Sequence, residues 1–199
     1  MDREASERIA LLERRTKETT INLNVNLDGT GKSDIKTSIP FLDHLLNSFA
    51  TYSNIDIQLI ADSKDKIKHH LIEDIGIVLG QAINKALGNR EKIARFGNAL
   101  VPMDESLSKV AIDLIIRSYY HIDLKLEREY IENVSKEDIQ HFIQSFVSNL
   151  NCCIHIVVEY GTNDHHKIES IIKAFSIALR IAMKMDPKNK EFPTTKGMM

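Results

Sequence analysis

Two stretches of this sequence each occur twice. Residues 41–50 read FLDHLLNSFA and residues 138–147 read DIQHFIQSFV, with a histidine, a serine-phenylalanine pair and the apolar positions in register. Farther along the chain, residues 69–73 read HHLIE and residues 165–169 read HHKIE. The spacing from the single histidine to the histidine pair is 25 residues in the first half and 24 in the second. A nearly constant spacing of this kind indicates that one structural unit is duplicated.

The residues around these repeats predict strands, a helix, a strand and a helix in each half. Alternating apolar and polar residues are typical of half-buried strands, and apolar residues spaced three and four apart are typical of helices. Strands are predicted over residues 20–27, 35–39, 55–61, 99–101, 110–116, 119–126 and 153–160, and helices over 41–52, 70–87, 135–150 and 166–183.

Several local signals refine this prediction. Pro40 and Ser135 are typical of helix starts, and Gly88 is typical of a helix end. Residues 28–31 read DGTG and are predicted to form the tight turn of a hairpin between strands 20–27 and 35–39. The segment 29–33, GTGKS, ends like a P-loop, but position 26 is an asparagine and a strand is expected to follow, so the turn is the better interpretation.

The composition is that of an ordinary globular chain. Of its 199 residues, 43% are hydrophobic and 27% are charged, and the formal net charge is -2. The basic residues are scattered, so neither nucleic acid nor an anionic membrane is an expected partner. Cys152 and Cys153 are adjacent and predict no disulfide framework, which suits a reducing cytosol. No signal peptide or membrane span is visible, and we expect a cytoplasmic protein.

Six of the eight histidines fall into the repeated pattern. Duplication of a core explains matching leucines, but it does not explain matching histidines and a matching glutamate. On a helix, residues i and i+4 share a face, which pairs His69 with Glu73 and His165 with Glu169. These residue types are metal ligands, and the sequence therefore predicts a metal-binding pair in each half.

The other histidines complete two metal sites. His70 and His166 point about 100° away from their neighbours on an α-helix, so each is expected to reach the metal of the other pair. His44 and His141 complete the two sets. Three imidazoles and one carboxylate leave positions open on an octahedral ion, which suits catalysis, and the ligand types alone admit Zn, Fe, Ni or Mn.

The combined motifs resemble imidazoleglycerol-phosphate dehydratase over nearly the whole chain, from about residue 15 to residue 199. The resemblance rests on these segments: residues 41–44 (FLDH), 69–74 (HHLIED) with Gly76 and Gly80, 163–169 (NDHHKIE) and 193–197 (PTTKG). It implies a manganese enzyme of L-histidine biosynthesis, a hydro-lyase that converts D-erythro-imidazole-glycerol phosphate to imidazole-acetol phosphate.

The resemblance also implies the fold and the assembly. The fold is α/β (α+β two-layer), a tandem duplication of a unit with a roughly four-stranded sheet backed by two helices, like domain 2 of ribosomal protein S5. The expected units are residues 1–92 and 93–185, and the tail 186–199 is expected to contribute to the substrate site. Members form a homo-oligomer of 24 subunits with two Mn²⁺ per subunit at subunit contacts.

Residue by residue, the resemblance assigns ligands and substrate contacts. One metal is expected to be held by His44, His70, His165 and Glu169, and the other by His69, Glu73, His141 and His166. The substrate is expected to contact Glu18, Arg95, Arg117, Lys173, Thr194, Thr195 and Lys196.

Glu18 is the candidate acid/base, and His70 and His166 are candidate catalytic residues. We hypothesise that the two metals hold the azole ring as imidazolate, which expels the neighbouring hydroxyl through a diazafulvene-like intermediate while a carboxylate moves the carbon proton.

Two segments depart from the family pattern. Tyr52-Ser53 stands where many members have His-Gly, and residues 115–118 read IIRS where they have Ser-Gly-Arg-Pro. The first departure puts one substrate contact in doubt, and the second keeps the charge of Arg117. Two other functions stay open on the residues alone: a di-metal hydrolase that uses metal-bound hydroxide, and a non-catalytic metal-binding shell.

Overall fold

The computed structural model describes residues 8–186, and each half of this range contains a four-stranded sheet and two helices. The first half consists of β1 (Ile9–Arg15), β2 (Thr19–Asn26), β3 (Ser33–Lys36), α1 (Pro40–Ser53), β4 (Asp56–Ser63) and α2 (Lys68–Leu87). The second half consists of β5 (Phe96–Met103), β6 (Ser106–Asp113), β7 (Tyr119–Asp123), β8 (Tyr130–Ile131), β9 (Val134–Ser135), α3 (Lys136–Leu150), β10 (Cys153–Tyr160) and α4 (Asp164–Ala182).

The two sheets have the same topology, which confirms the predicted duplication. The strand orders are β1-β2-β4-β3 and β5-β6-β10-β7. In each sheet the third strand of the half runs parallel to the strand that follows the first helix, so that β3–α1–β4 and β7–α3–β10 are equivalent crossover units. The second half adds only the short β8–β9 hairpin before α3. The boundary predicted at residues 92–93 falls between α2 and β5 and stays a prediction.

The predicted hairpin between residues 20–27 and 35–39 is wrong. β3 covers Ser33–Lys36 and pairs with β4 in parallel, not with β2. The carboxylate of Asp56, at the start of β4, accepts hydrogen bonds of 2.8 Å from the backbone N–H groups of Thr30 and Lys32. These bonds hold the loop of residues 27–32 against β4, and the helix α1 then provides the crossover that a parallel pair requires.

The other elements follow the sequence patterns closely. Ser135 caps α3 by accepting a hydrogen bond from the backbone N–H of Asp138 at 3.0 Å, and Pro40 is the first residue of α1. The strands expected to reach residues 116 and 126 end earlier, at Asp113 and Asp123. The strand β1 was not predicted, because the charged residues at its end obscure the alternation.

The four helices lie between the two sheets and pack across the two halves. α2 packs against α3, and α1 packs against α4, while α1 and α2 also contact the first sheet and α3 and α4 the second. Rings of Phe49, Phe146 and Phe175, from three different helices, lie 5.1–5.8 Å apart between centroids at the centre of this layer. No helix within residues 8–186 has the combined length and hydropathy that crossing a bilayer requires.

Glycines allow the close approach of α2 and α3. A Cβ atom at Gly76 would lie 2.8 Å from the carbonyl oxygen of Phe142, and one at Gly80 would lie 2.4 Å from that of Phe146. Both contacts advance along the two helices in the same direction, so α2 and α3 are parallel. Their first turns are therefore neighbours, and the side chains that project from those turns meet.

We predict that Gly80→Ala destabilises the protein even though alanine favours helices. The new methyl group would clash with the backbone of Phe146 and push α2 away from α3, which lowers the free energy of unfolding by about 1–3 kcal/mol. Alanine in an unobstructed helix position instead stabilises by about 1 kcal/mol. Thermal unfolding followed by circular dichroism measures the difference. Lys85→Ala, at an exposed position of the same helix, is the control and should change the unfolding temperature little. Equal or higher stability of the Gly80 variant would contradict the packing.

Candidate metal centre

Histidines and glutamates meet in two places between the halves. The α1–α4 group consists of His44, His165 and Glu169, and the α2–α3 group consists of His69, Glu73 and His141. Within each group, one ligand atom from every residue lies within 4.8 Å of the others. Each group takes two residues from the second helix of one half and one histidine from the first helix of the other half. This is the mixing of halves that the sequence pattern predicts.

The α1–α4 group is centred on the carboxylate of Glu169. The Nε2 atoms of His44 and His165 each lie 3.5 Å from its Oε2 atom. Its Oε1 atom accepts a charge-assisted hydrogen bond from Lys173 at 2.7 Å. Burial is the largest single influence and opposes ionisation of Glu169, but the hydrogen bonds and charges of Lys173 and His44 together outweigh it and lower the pKa of the carboxyl. The group opens into a surface groove of about 520 Å³.

The α2–α3 group is built on two stacked imidazoles. The rings of His69 and His141 lie 4.9 Å apart between centroids, with an angle of 16° between their planes. The Nδ1 atom of His69 lies 2.7 Å from Oδ1 of Asp138, so this ring presents its Nε2 atom to the group. The Nδ1 atom of His141 is buried and has no hydrogen-bond partner among residues 8–186.

These donor sets fit a divalent metal ion. Imidazole nitrogens and a carboxylate oxygen suit Mn, Fe, Zn and related ions. An unpartnered buried nitrogen such as Nδ1 of His141 is unfavourable unless something binds it. A carboxylate on the Nδ1 atom of a ligating histidine fixes the tautomer that leaves Nε2 free for a metal. Each of the two groups could therefore hold one ion.

His70 and His166 lie outside both groups in the single chain. The Nδ1 atom of His70 lies 2.6 Å from Asp65 and 3.8 Å from Glu18. The Nδ1 atom of His166 lies 2.7 Å from Glu105. The hydrogen bond with the adjacent carboxylate raises the pKa of each histidine. The expectation that these residues cross to the other metal is therefore not met within one chain.

The duplication relates Glu18 to Glu105. In each half the glutamate immediately precedes the first buried residue of the second strand, Thr19 in β2 and Ser106 in β6. Each carboxylate lies beside the second histidine of the pair in its own half. The sequence interpretation singled out Glu18 and missed Glu105, although extending the repeat to the strands would have revealed it.

Carboxylates on imidazole Nδ1 atoms are the functional residues that sequence reasoning missed. They are Asp65 on His70, Glu105 on His166, Asp138 on His69 and, at 3.3 Å, Glu132 on His165. Two of these have a sequence signal: Glu105 is the repeat counterpart of Glu18, and Asp138 precedes His141 by one helical turn and so shares its face.

Besides Glu18, the residues expected to contact the substrate occupy different environments. Arg95 donates two hydrogen bonds to the carboxylate of Asp113, at 2.6 and 2.9 Å, so a phosphate would compete with that pair. Arg117 is exposed in the loop between β6 and β7. Lys173 contacts Glu169 of the α1–α4 group and lies 5.6 Å from the ring centre of Tyr52, the residue that departs from the family pattern. Thr194, Thr195 and Lys196 lie outside the described residues.

Comparison with known proteins shows the family of this chain. The sequence model of the family described as imidazoleglycerol-phosphate dehydratase matches residues 37–179. The proteins of that name from Methanosarcina mazei and Clostridium botulinum are 45% and 43% identical over 193 residues, which is 96% of this chain and 100% and 98% of theirs.

Solved structures are similar over nearly their whole length. The crystal structure of imidazoleglycerol-phosphate dehydratase from Staphylococcus aureus superimposes with a TM-score of 0.81 at 33% identity, covering 89% of this chain and 99% of that one. The enzyme from Pyrococcus furiosus gives 0.81 at 35% identity, with coverages of 94% and 100%. The chain therefore belongs to the imidazoleglycerol-phosphate dehydratase family of hydro-lyases.

Proposed function

We propose that this chain is a cytoplasmic imidazoleglycerol-phosphate dehydratase of L-histidine biosynthesis. It uses two Mn²⁺ per subunit to convert D-erythro-imidazole-glycerol phosphate to imidazole-acetol phosphate. The observation that carries the proposal is the pair of duplicated groups, each holding two histidines and one glutamate within ligand distance. Membership of the family supports the choice of substrate.

The proposed sites are completed between neighbouring copies. His69 and His70 are adjacent, and so are His165 and His166. If His70 of one copy reaches the α1–α4 group of a second copy, His166 of the second copy is carried to the α2–α3 group of the first. One contact between the start of α2 and the start of α4 thus completes both four-residue ligand sets. This arrangement supports a homo-oligomer, for which the family resemblance gives 24 subunits.

The α1–α4 group with His70 of a neighbouring copy would hold one ion, and the α2–α3 group with His166 of a neighbouring copy would hold the other. Bound ions would supply Lewis-acid stabilisation of the anionic form of the substrate ring. Glu18 is suited to the proton transfer, because its side chain is half exposed and lies beside His70, at the same contact. Its carboxylate would take the proton from the carbon next to the one that loses the hydroxyl, and this proton and the departing hydroxide together make up the water that is released. The enol that results then rearranges to the ketone of the product.

The phosphate is proposed to be bound by Arg95, Arg117 and Lys173, together with the tail residues Thr194, Thr195 and Lys196. Guanidinium groups and an ammonium group are suitable partners for a dianion. Lys173 lies closest to the proposed metals through its bond with Glu169. A phosphate that attracts Lys173 would weaken that bond, so substrate binding and metal binding are expected to be coupled.

We predict that the purified protein forms imidazole-acetol phosphate from the substrate only when metal is present. Chelation with EDTA should abolish turnover, and added Mn²⁺ should restore it. Without bound ions, nothing stabilises the anionic form of the substrate ring. His165→Ala should prevent restoration, whereas His155→Ala, on an exposed strand position, should not. Full turnover in EDTA, or metal-dependent hydrolysis of the phosphate ester instead of dehydration, would contradict the proposed function.

Glu18→Gln is predicted to lower turnover by about 10²–10⁴-fold, because the amide cannot accept the carbon proton. Metal content should stay at two ions per chain, since Glu18 belongs to neither group. Glu13→Gln removes the same charge from the neighbouring strand β1 and serves as the control. The role of Glu18 is refuted if its variant retains normal turnover with both metals bound.

A mixing experiment tests the shared site. His70→Ala and His165→Ala assemblies should each be inactive, because each lacks one ligand of the same metal. When the two variants are dissociated and reassembled together, about a quarter of the sites receive both intact residues from different chains, and activity should return in proportion. If all ligands of a site came from one chain, the mixture would stay inactive.

A further inference from the structure

We infer that the two metal-binding groups are unequal, and that the α2–α3 group binds its ion first and more tightly. Asp138 orients His69 and adds a negative charge to the α2–α3 group, whereas Lys173 opposes the charge of Glu169 in the α1–α4 group. This inference rests on the proposed function, because it requires each group to bind a divalent ion.

Asp138 is a positioning residue for His69. Its Oδ1 atom lies 2.7 Å from Nδ1 of the imidazole, and its side chain is only 15% exposed. Because Nδ1 is engaged, the ring is held as the tautomer whose Nε2 lone pair is free for a metal. A carboxylate in this position also makes the imidazole a stronger ligand, and the limited exposure reduces screening of its charge.

The duplicated position in the other half carries no charge. Phe41 aligns with Asp138, and its ring lies 5.1 Å from that of His165, the counterpart of His69. A phenylalanine ring packs against the imidazole but accepts no proton from Nδ1. The Nδ1 atom of His165 instead faces Glu132 at 3.3 Å, and the side chain of Glu132 is 55% exposed. An exposed ion pair at this distance is weak.

A second difference lies one helical turn after each glutamate. Lys173 follows Glu169 and contacts its carboxylate at 2.7 Å. The residue in the same place after Glu73 is Ile77, which carries no charge. A dication in the α1–α4 group must therefore bind beside an ammonium group, and Coulomb repulsion weakens its binding.

The charged side chains that belong to each group or contact it add up to different net charges. Glu73 and Asp138 give the α2–α3 group a charge of -2, whereas Glu169, Glu132 and Lys173 together give the α1–α4 group a charge of -1.

The histidines that complete the sites do not cancel this difference. Asp65 accompanies His70 at 2.6 Å, and Glu105 accompanies His166 at 2.7 Å. Glu18 also lies 3.8 Å from His70, and Asp104 lies 3.7 Å from His166. Each group therefore gains one imidazole with two neighbouring carboxylates when a neighbouring copy approaches. The contrast between Asp138 and Phe41, and between Lys173 and Ile77, persists in the assembly.

Titration of the metal-free full-length protein with Mn²⁺ tests the inference. Electron paramagnetic resonance measures the free hexaaqua ion, and so the number of bound ions and their affinities. The wild type should bind one ion per chain at least about tenfold more tightly than the second. Asp138→Ala should weaken the tighter step by about 10–100-fold and leave the other unchanged. Asp138→Asn retains a hydrogen-bond acceptor, so its Mn²⁺ affinity at the tighter step should lie between those of the wild type and Asp138→Ala.

Glu137→Ala is the matched control, because it removes the same charge from the same first turn of α3. Its Mn²⁺ affinities should remain within about twofold of wild type, since only Asp138 orients the imidazole. Lys173→Met should strengthen the weaker step. His141→Ala should remove the tighter step and His44→Ala the weaker one, which assigns each step to its group.

Two equal sites in an enzyme that binds two Mn²⁺ and dehydrates its substrate would overturn this inference and leave the proposed function intact. An Asp138→Ala effect on the weaker step, or an equal effect of Glu137→Ala, would also overturn it. Fewer than two Mn²⁺ per chain together with no turnover would instead mean that the proposed function fails. Unfolding temperatures within a few degrees of wild type verify that the variants are folded.

Discussion

The parallel packing of helices from opposite halves is the constraint on which the rest of this structure depends. α2 lies so close to α3 that a methyl group at Gly80 would meet the backbone of Phe146. α1 and α4 approach in the same sense, from His44 beside Glu169 to Phe49 beside Phe175. Because both pairs are parallel, the first turns of partner helices lie side by side. Ligands far apart in sequence therefore meet in two places, and the apolar core holds them there.

The duplication makes the two groups similar but not identical. Equivalent histidines and glutamates occupy equivalent turns, which is why the two donor sets match. The surrounding residues differ. Phe41 occupies the position in the first half that Asp138 occupies in the second, and Ile77 occupies the position equivalent to that of Lys173. If each group holds one ion, as proposed, the unequal surroundings would allow one ion to stay bound while the other responds to substrate. The duplicated fold thus provides symmetry in the ligands and asymmetry in their neighbours.

The single chain also explains why this enzyme is expected to act as an assembly. His70 and His166 each extend from the first turn of a helix with Nδ1 held by a carboxylate and belong to neither group of their own chain. Their adjacency to His69 and His165 means that one contact between copies can complete both sites. Glu18, beside His70, would then lie at the same junction. Metal binding and association would stabilise each other, because association of two copies completes each ligand set and a bound ion then links the two copies.

The sequence by itself predicted the repeat, the helices and the three candidate ligands that meet in each of the two groups. Periodicity of apolar residues located α1 to α4 within a few residues, and the nearly constant spacing of His44, His69 and Glu73 with their counterparts predicted the candidate donors. Helix geometry also separated His69 from His70, because successive residues differ by about 100°. These features are local or repeated, so a linear pattern carries them.

Only the tertiary structure decided which contacts surround those donors. The pairing of β3 with β4 depends on Asp56, which is distant in sequence from the loop it holds. The carboxylates on the imidazoles and the bond between Lys173 and Glu169 depend on side-chain directions across helix and loop junctions. Hydrophobic periodicity specifies which face of an element is buried, but it does not specify which polar groups meet when those faces pack. That information arises only when the two halves come together.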